Sequence, residues 1–171
     1  MLISVEDALG RITGGLRPTK SETVGLSQAL GRVLAKDVTA QVSHPPSAVS
    51  AMDGYAIRAE DVASVPAPLT VIGEAPAGGF FEGRVGTNQA VRIFTGAPLP
   101  QGAQHVVIQE DVKRDADGMI VVTEVDPKTH IRPSGSDFKR GEVIAAPRQL
   151  SPADVALLAS MNHPLVPVRR K

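Results

Sequence analysis

The chain is 171 residues long, with 18 Lys plus Arg balanced by 18 Asp plus Glu, no cysteine and no Trp. Zero formal net charge lacks the basic footprint of a nucleic-acid binder, and the missing thiols exclude disulfides, thiolate catalysis and Cys-based zinc sites. With only four Phe and one Tyr the core must be aliphatic, and 16 Gly with 14 Pro suit short strands joined by turns better than a helical bundle.

No apolar run approaches the ~18 residues needed to span a bilayer. The opening MLISVEDALG is acidic where a secretory signal needs a basic start. A cytoplasmic chain with no membrane contact is expected.

In chain order, Ser4 and Asp7 have capping-box spacing for a first helix, and Val5, Ala8, Leu9 and Ile12 fall on one apolar stripe. Gly14-Gly15 and Pro18 stop it. Glu22–Leu26 reads as extended, Ser27 is placed to cap a brief turn over Gln28–Leu30, and Arg32–Val42 reads as one strand. From His44 onward helical periodicity disappears, apart from a turn near Ala59–Val62. Strands are expected at Gly54–Arg58, Leu69–Glu74, Ala90–Phe94, His105–Gln109 and Met119–Val125. Their separators are Pro66, Gly78-Gly79, Gly86, Pro98 with Pro100, and Asp115 with Asp117-Gly118.

Gly141–Ala145 is a further strand. Ser151, Pro152 and Asp154 then occupy N-cap, N1 and N3 of another helix, with Val155, Leu158 and Met161 as its buried stripe and Leu157 alongside. Leu165–Val168 closes the chain as a strand. The expected fold is α+β and β-rich: a discontinuous helix-containing domain, 1–43 and 141–171, carrying an inserted all-β, barrel-like domain, 44–140.

Three loop segments carry the chemistry: Ser50–Tyr55 within SAVSAMDGYAIR, Ile93–Pro100 (IFTGAPLP) with Glu110-Asp111 at a later strand end, and Ile131–Phe138 (IRPSGSDF). Each sets a hydroxyl or carboxylate beside Gly or Pro at a strand end. Singly they have ordinary readings: Asp53-Gly54 as a turn using positive φ, Thr95-Gly96 as a self-capped strand end, Ser136-Asp137 as an Asx turn. His44, His105, His130 and His163 show no paired metal-ligand spacing and read as structural. No GxxxxGK[ST] or GxGxxG occurs, and Gly78-Gly79 reads as a turn.

Together the segments are far more specific. SAMDGYAIR, RIFTGAPLPQGAQHVVIQED and IRPSGSDFKRGEVI, with ALGRVLAKDV before and LSPADVALLASMNHPLVPVRRK after, resemble the N-terminal half of the molybdopterin molybdenumtransferase family in order and spacing. That family comprises bacterial MoeA and the E domain of plant and animal relatives, including gephyrin. The resemblance covers nearly the whole chain. It implies a discontinuous domain I and an inserted β-rich domain II, with a pterin-binding domain III and a C-terminal domain IV expected beyond Lys171.

The resemblance further implies an activity: insertion of molybdate into adenylylated molybdopterin, releasing AMP, in molybdenum cofactor biosynthesis, with Mg²⁺ as the metal. It implies a homodimer in which domain II of one subunit faces domain III of the other. Domains I and II alone are then expected to be inactive. The alternative is a gephyrin-like scaffold or oligomerisation module without its own catalysis.

Carried over by position, Asp53, Thr95 and Asp137 match family active-site residues, with Ser50 and Gly96 expected on the cofactor and Asp53 and Asp137 as Mg²⁺ ligands. At the third loop, Pro133, Ser134, Gly135 and Ser136 stand where many relatives carry an Arg-rich segment. Bare carboxylates about 4 Å from molybdate or phosphate would cost several kcal/mol in a partly buried site. Asp53 and Asp137 are therefore expected to hold Mg²⁺, accept protons or pair with a cation. Thr95 is expected to position an oxyanion or a metal-bound water.

Overall fold

The computed structural model describes residues 3–114 and 118–171. The chain divides into two compact units, Met1–Val42 with Arg140–Lys171, and Ser43–Lys139. Among the described residues no helix is long and apolar enough to cross a membrane.

In the discontinuous unit, Ser4 caps the helix Val5–Thr13 by accepting the Asp7 amide at 3.0 Å. The apolar stripe is present on that helix but exposed: none of its residues is buried. A four-stranded sheet runs in the order Ser21–Gly25, Leu165–Arg169, Val33–Leu34, Arg148–Gln149. The single strand expected over Arg32–Val42 is two short ones. Val33–Leu34 joins this sheet, and Val38–Thr39 pairs with Val143–Ile144. Between them the chain bends, and the Asp37 carboxylate accepts the Ala146 amide at 2.8 Å. The turn expected at Gln28–Leu30 is a helical turn over Leu26–Ala29 entered from Gly25, so Ser27 lies inside it and caps nothing.

The helix Pro152–Ser160 starts as its sequence prescribes, but of the expected buried stripe Val155 is only half-buried. Ser151 and Asp154 satisfy each other's backbone amides in a full capping box, Leu158 and Met161 are buried, and Arg148 pairs with Asp154 at 2.7 Å.

The second unit is a six-stranded sheet, ordered His105–Ile108, Gly54–Ile57, Gln89–Ile93, Ala67–Ala75, Met119–Val122, Val112–Arg114. All pairings are antiparallel except Ala67–Ala75 with Gln89–Ile93. The two edge strands are consecutive in the chain, joined only by the 3₁₀ turn Gln109–Asp111. Such a short link between opposite edges requires the sheet to curl, which is the barrel-like form expected. Strand alternation sorts the apolar residues onto two faces. Tyr55, Ile57, Ala90 and Val107 belong to one cluster; Ala56, Val91, Ile93 and Val106 belong to the other. The turn expected at Asp115 and Asp117-Gly118 lies, apart from Gly118, outside the described residues.

Candidate functional site

Antiparallel pairing decides where the chemical groups gather. Asp53 precedes the strand Gly54–Ile57, Thr95 follows Gln89–Ile93, and Gln109 and Glu110 follow His105–Ile108. Gly54 lies opposite both Ile93 and Ile108, so all these residues meet at one end of the sheet.

Gly54 is required there for a reason that the turn reading missed. It is not at positive φ. A Cβ built on it would stand 2.0 Å from the Val107 carbonyl oxygen, so only glycine lets the two strands approach. Asp53-Gly54 is thus a strand entry under tight packing. Gly96, by contrast, has φ +83° and open space around it, and makes a true turn.

The Asp53 carboxylate closes onto the second loop. Its Oδ1 accepts the Thr95 amide at 2.8 Å and the Thr95 hydroxyl at 2.7 Å. These two bonds, the amide first, hold its pKa below the ordinary 3.8; the field of Arg92 adds to them, against a partial desolvation that pushes upward. Arg92 itself donates to the Gly54 carbonyl at 2.8 Å and to Gln109 Oε1 at 2.7 Å. Its guanidinium lies over the rings of Phe94 and Tyr55, at 4.5 and 5.3 Å.

Ser50 and Gly96 serve as joints between the loops. The Gly96 amide donates to the Ser50 carbonyl at 2.9 Å, and the Ser50 amide to the Ala97 carbonyl at 3.0 Å. Ser50 is 1 % exposed and its hydroxyl bonds the Met52 carbonyl at 2.6 Å. A buried hydroxyl with its proton engaged is no contact for a ligand, so the structure gives Ser50 an architectural place. The amides of Thr95, Gly96 and Ala97 are all spent within the protein, the last on the Phe94 carbonyl at 3.0 Å. The TGAP loop is therefore not a nest of free amides for an anion.

The third loop is tied in through the same residues. Val49–Ser50 pairs with Ile131–Arg132 on one side and bridges Pro98 on the other, so one short strand laces all three segments together. The Asp137 carboxylate is turned onto Arg132 at 2.6 Å, with His44 Nε2 at 3.8 Å. No hydrogen bond or ion pair joins Asp137 to Asp53 or Thr95 among the described residues. Of the three fates open to these carboxylates, Asp137 takes pairing with a cation. Arg132 and Arg92 are the residues that sequence reasoning passed over. Arg132 stands inside the quoted IRPSGSDF, and Arg92 sits one residue before Ile93 on an alternating strand.

Among the described residues no three His, Asp or Glu side chains gather as a metal-ligand set. Asp137 is paired with Arg132, and Asp53 directs Oδ1 to Thr95.

The family model for the MoeA N-terminal region (domain I and II) matches residues 3–162. The molybdopterin molybdenumtransferase of Haemophilus influenzae is 38% identical over 147 residues, covering 85% of this chain and 36% of that protein. The Bacillus subtilis protein of the same name is 34% identical over 178 residues, covering 99% and 41%. The crystal structure of the molybdopterin biosynthesis moeA protein from Pyrococcus horikoshii OT3 superposes with a TM-score of 0.91 at 39% identity, over 100% of this chain and 47% of that one. The chain thus spans about two fifths of the length of these two curated relatives.

Proposed function

The chain belongs to the MoeA family, whose N-terminal region it spans, and from that membership we propose that it supplies the Asp53–Thr95 part of a molybdenumtransferase site. At that site molybdate enters the dithiolene of adenylylated molybdopterin and AMP leaves. The observation that carries this reading is the Asp53–Thr95 hydrogen bond at 2.7 Å, which fixes a carboxylate and a hydroxyl at the open end of the sheet.

The geometry narrows what the pair does. A carboxylate with a depressed pKa is a weak base, so proton acceptance is the role least suited to Asp53. It supplies a fixed negative charge, and a donor or cation would meet it at Oδ2. Thr95 has committed its hydroxyl proton to Asp53, so toward a ligand it presents lone pairs and accepts; it does not donate to an oxyanion. Both substrates are anions, and the charge that offsets them comes from groups beyond this pair. The reading rests on Asp53 and Thr95; Mg²⁺, which needs only one or two carboxylates beside substrate oxygens and water, would add charge there.

Family membership extends the proposal to a homodimer, in which a pterin-binding domain of the opposite subunit faces these loops, and to a cytoplasmic location. The 171-residue chain alone is proposed to be inactive. The test is cofactor formation from molybdate, Mg²⁺ and adenylylated molybdopterin, with the chain alone and mixed with the remaining portion of a MoeA relative. Product is expected in the mixture only. Turnover by the chain alone, or none in the mixture while the intact relative is active, contradicts the reading.

A further inference from the structure

Asp53 reaches Thr95 only while three strand ends keep their places, and one side chain touches all three. Arg92 stands directly opposite Tyr55 in the pairing of Gln89–Ile93 with Gly54–Ile57. From there its guanidinium spans the middle strand. Nη1 takes the Gly54 carbonyl at 2.8 Å, and Nη2 takes the side chain of Gln109, at the end of the third strand, at 2.7 Å. The Gln109 amide in turn donates to the Asp53 carbonyl at 3.2 Å. Both backbone neighbours of the Asp53 carboxylate are thus tied to Arg92.

The guanidinium is itself held. Phe94, two residues on and on the same face, and Tyr55 across the strand offer their rings to it. Charge-assisted bonds are about twice as strong as neutral ones, and a planar fork fixes two acceptors at a set separation where an ammonium, a point charge, cannot.

We propose that Arg92 is a positioning residue of the site: it clamps the Gly54 and Gln109 strand ends so that Asp53 meets both donors of Thr95. The proposal rests on the Asp53–Thr95 reading above but is tested apart from it. In the 171-residue chain, NMR follows the Thr95 amide proton in the wild type, Arg92→Lys and Arg92→Gln. The amides of Leu69 and Ile120, on strands farther along the sheet, report whether the fold stays intact. Both variants are expected to lose the downfield position of the Thr95 amide, while Leu69 and Ile120 stay unmoved.

A merely structural Arg92 would shift the distant amides too, and that outcome overturns the proposal, as does an unchanged Thr95 in either folded variant. If Arg92→Gln fails to fold, Arg92→Lys decides, because it keeps the charge and loses the fork. Thr95→Val in the wild-type background separates the two ideas. If the downfield position of residue 95's amide persists there, the bond to Asp53 exists whatever Arg92 does; if the wild type never shows it, the pair itself is wrong.

Discussion

Thr95 gives both its amide and its hydroxyl to a single oxygen of Asp53, at 2.8 and 2.7 Å. A carboxylate that accepts two such bonds is favoured in its charged form, and this has a consequence in acid. The folded pKa of Asp53 lies below its ordinary 3.8. The unfolded chain therefore binds a proton first as pH falls. The stabilisation is present above pH 3.8 and is lost as pH drops from there through the folded value. Asp126 and Asp154 shift in the same direction, Asp126 chiefly through the Lys128 amide and Asp154 chiefly through the Ser151 hydroxyl. The ¹³C carboxyl titration of Asp53 should move up in Thr95→Val, which keeps the amide but not the hydroxyl, and stay low in Thr95→Ser.

The two glycines of the site should respond differently to a methyl group. Gly54→Ala drives a Cβ to within 2.0 Å of the Val107 carbonyl oxygen, a backbone atom that cannot step aside cheaply. Roughly 3 kcal/mol of destabilisation is expected, at the upper end for overpacking. Gly96→Ala meets no atom within 4 Å and loses only the freedom to hold φ +83°, about 1 kcal/mol. Urea unfolding of both variants checks the order.

Arg132 and Asp137 make an ion pair at 2.6 Å in which each side chain is about half exposed, 49% and 42%. Solvent screens such a pair, so Arg132→Gln should change unfolding stability by less than about 1 kcal/mol. The pair then matters for the charge it sets on the third loop. A larger loss on chemical denaturation would show that the loop needs this bond to form.

Much of this was written in local sequence. Ser151, Pro152 and Asp154 specified their helix start because capping is decided within four residues. Alternation placed Tyr55 and Ile57 against Ala56 because a strand has a strict period of two. The failures share a different cause. Asp37, between the two short strands, bonds Ala146, more than a hundred residues away, and no local pattern announces that. Gly54 opens an expected strand, but the constraint that demands glycine there, the Val107 carbonyl, lies on another strand. Asp53 and Thr95 could be singled out, but not that they bond each other. Arg92 and Arg132 were passed over because a charged residue on a short strand usually faces solvent.

The central claim is that the Asp53–Thr95 pair works as a unit in molybdenum transfer. The measurement that meets it most directly is the rate of cofactor formation when this chain, combined with the remaining portion of a MoeA relative, carries Asp53→Asn, Thr95→Ala or Thr95→Ser. On this account Asp53→Asn and Thr95→Ala each lower the rate by on the order of 10²-fold, the double variant costs little more than either alone, and Thr95→Ser stays near wild type. Wild-type turnover from Asp53→Asn, or fully additive losses in the double variant, would contradict it.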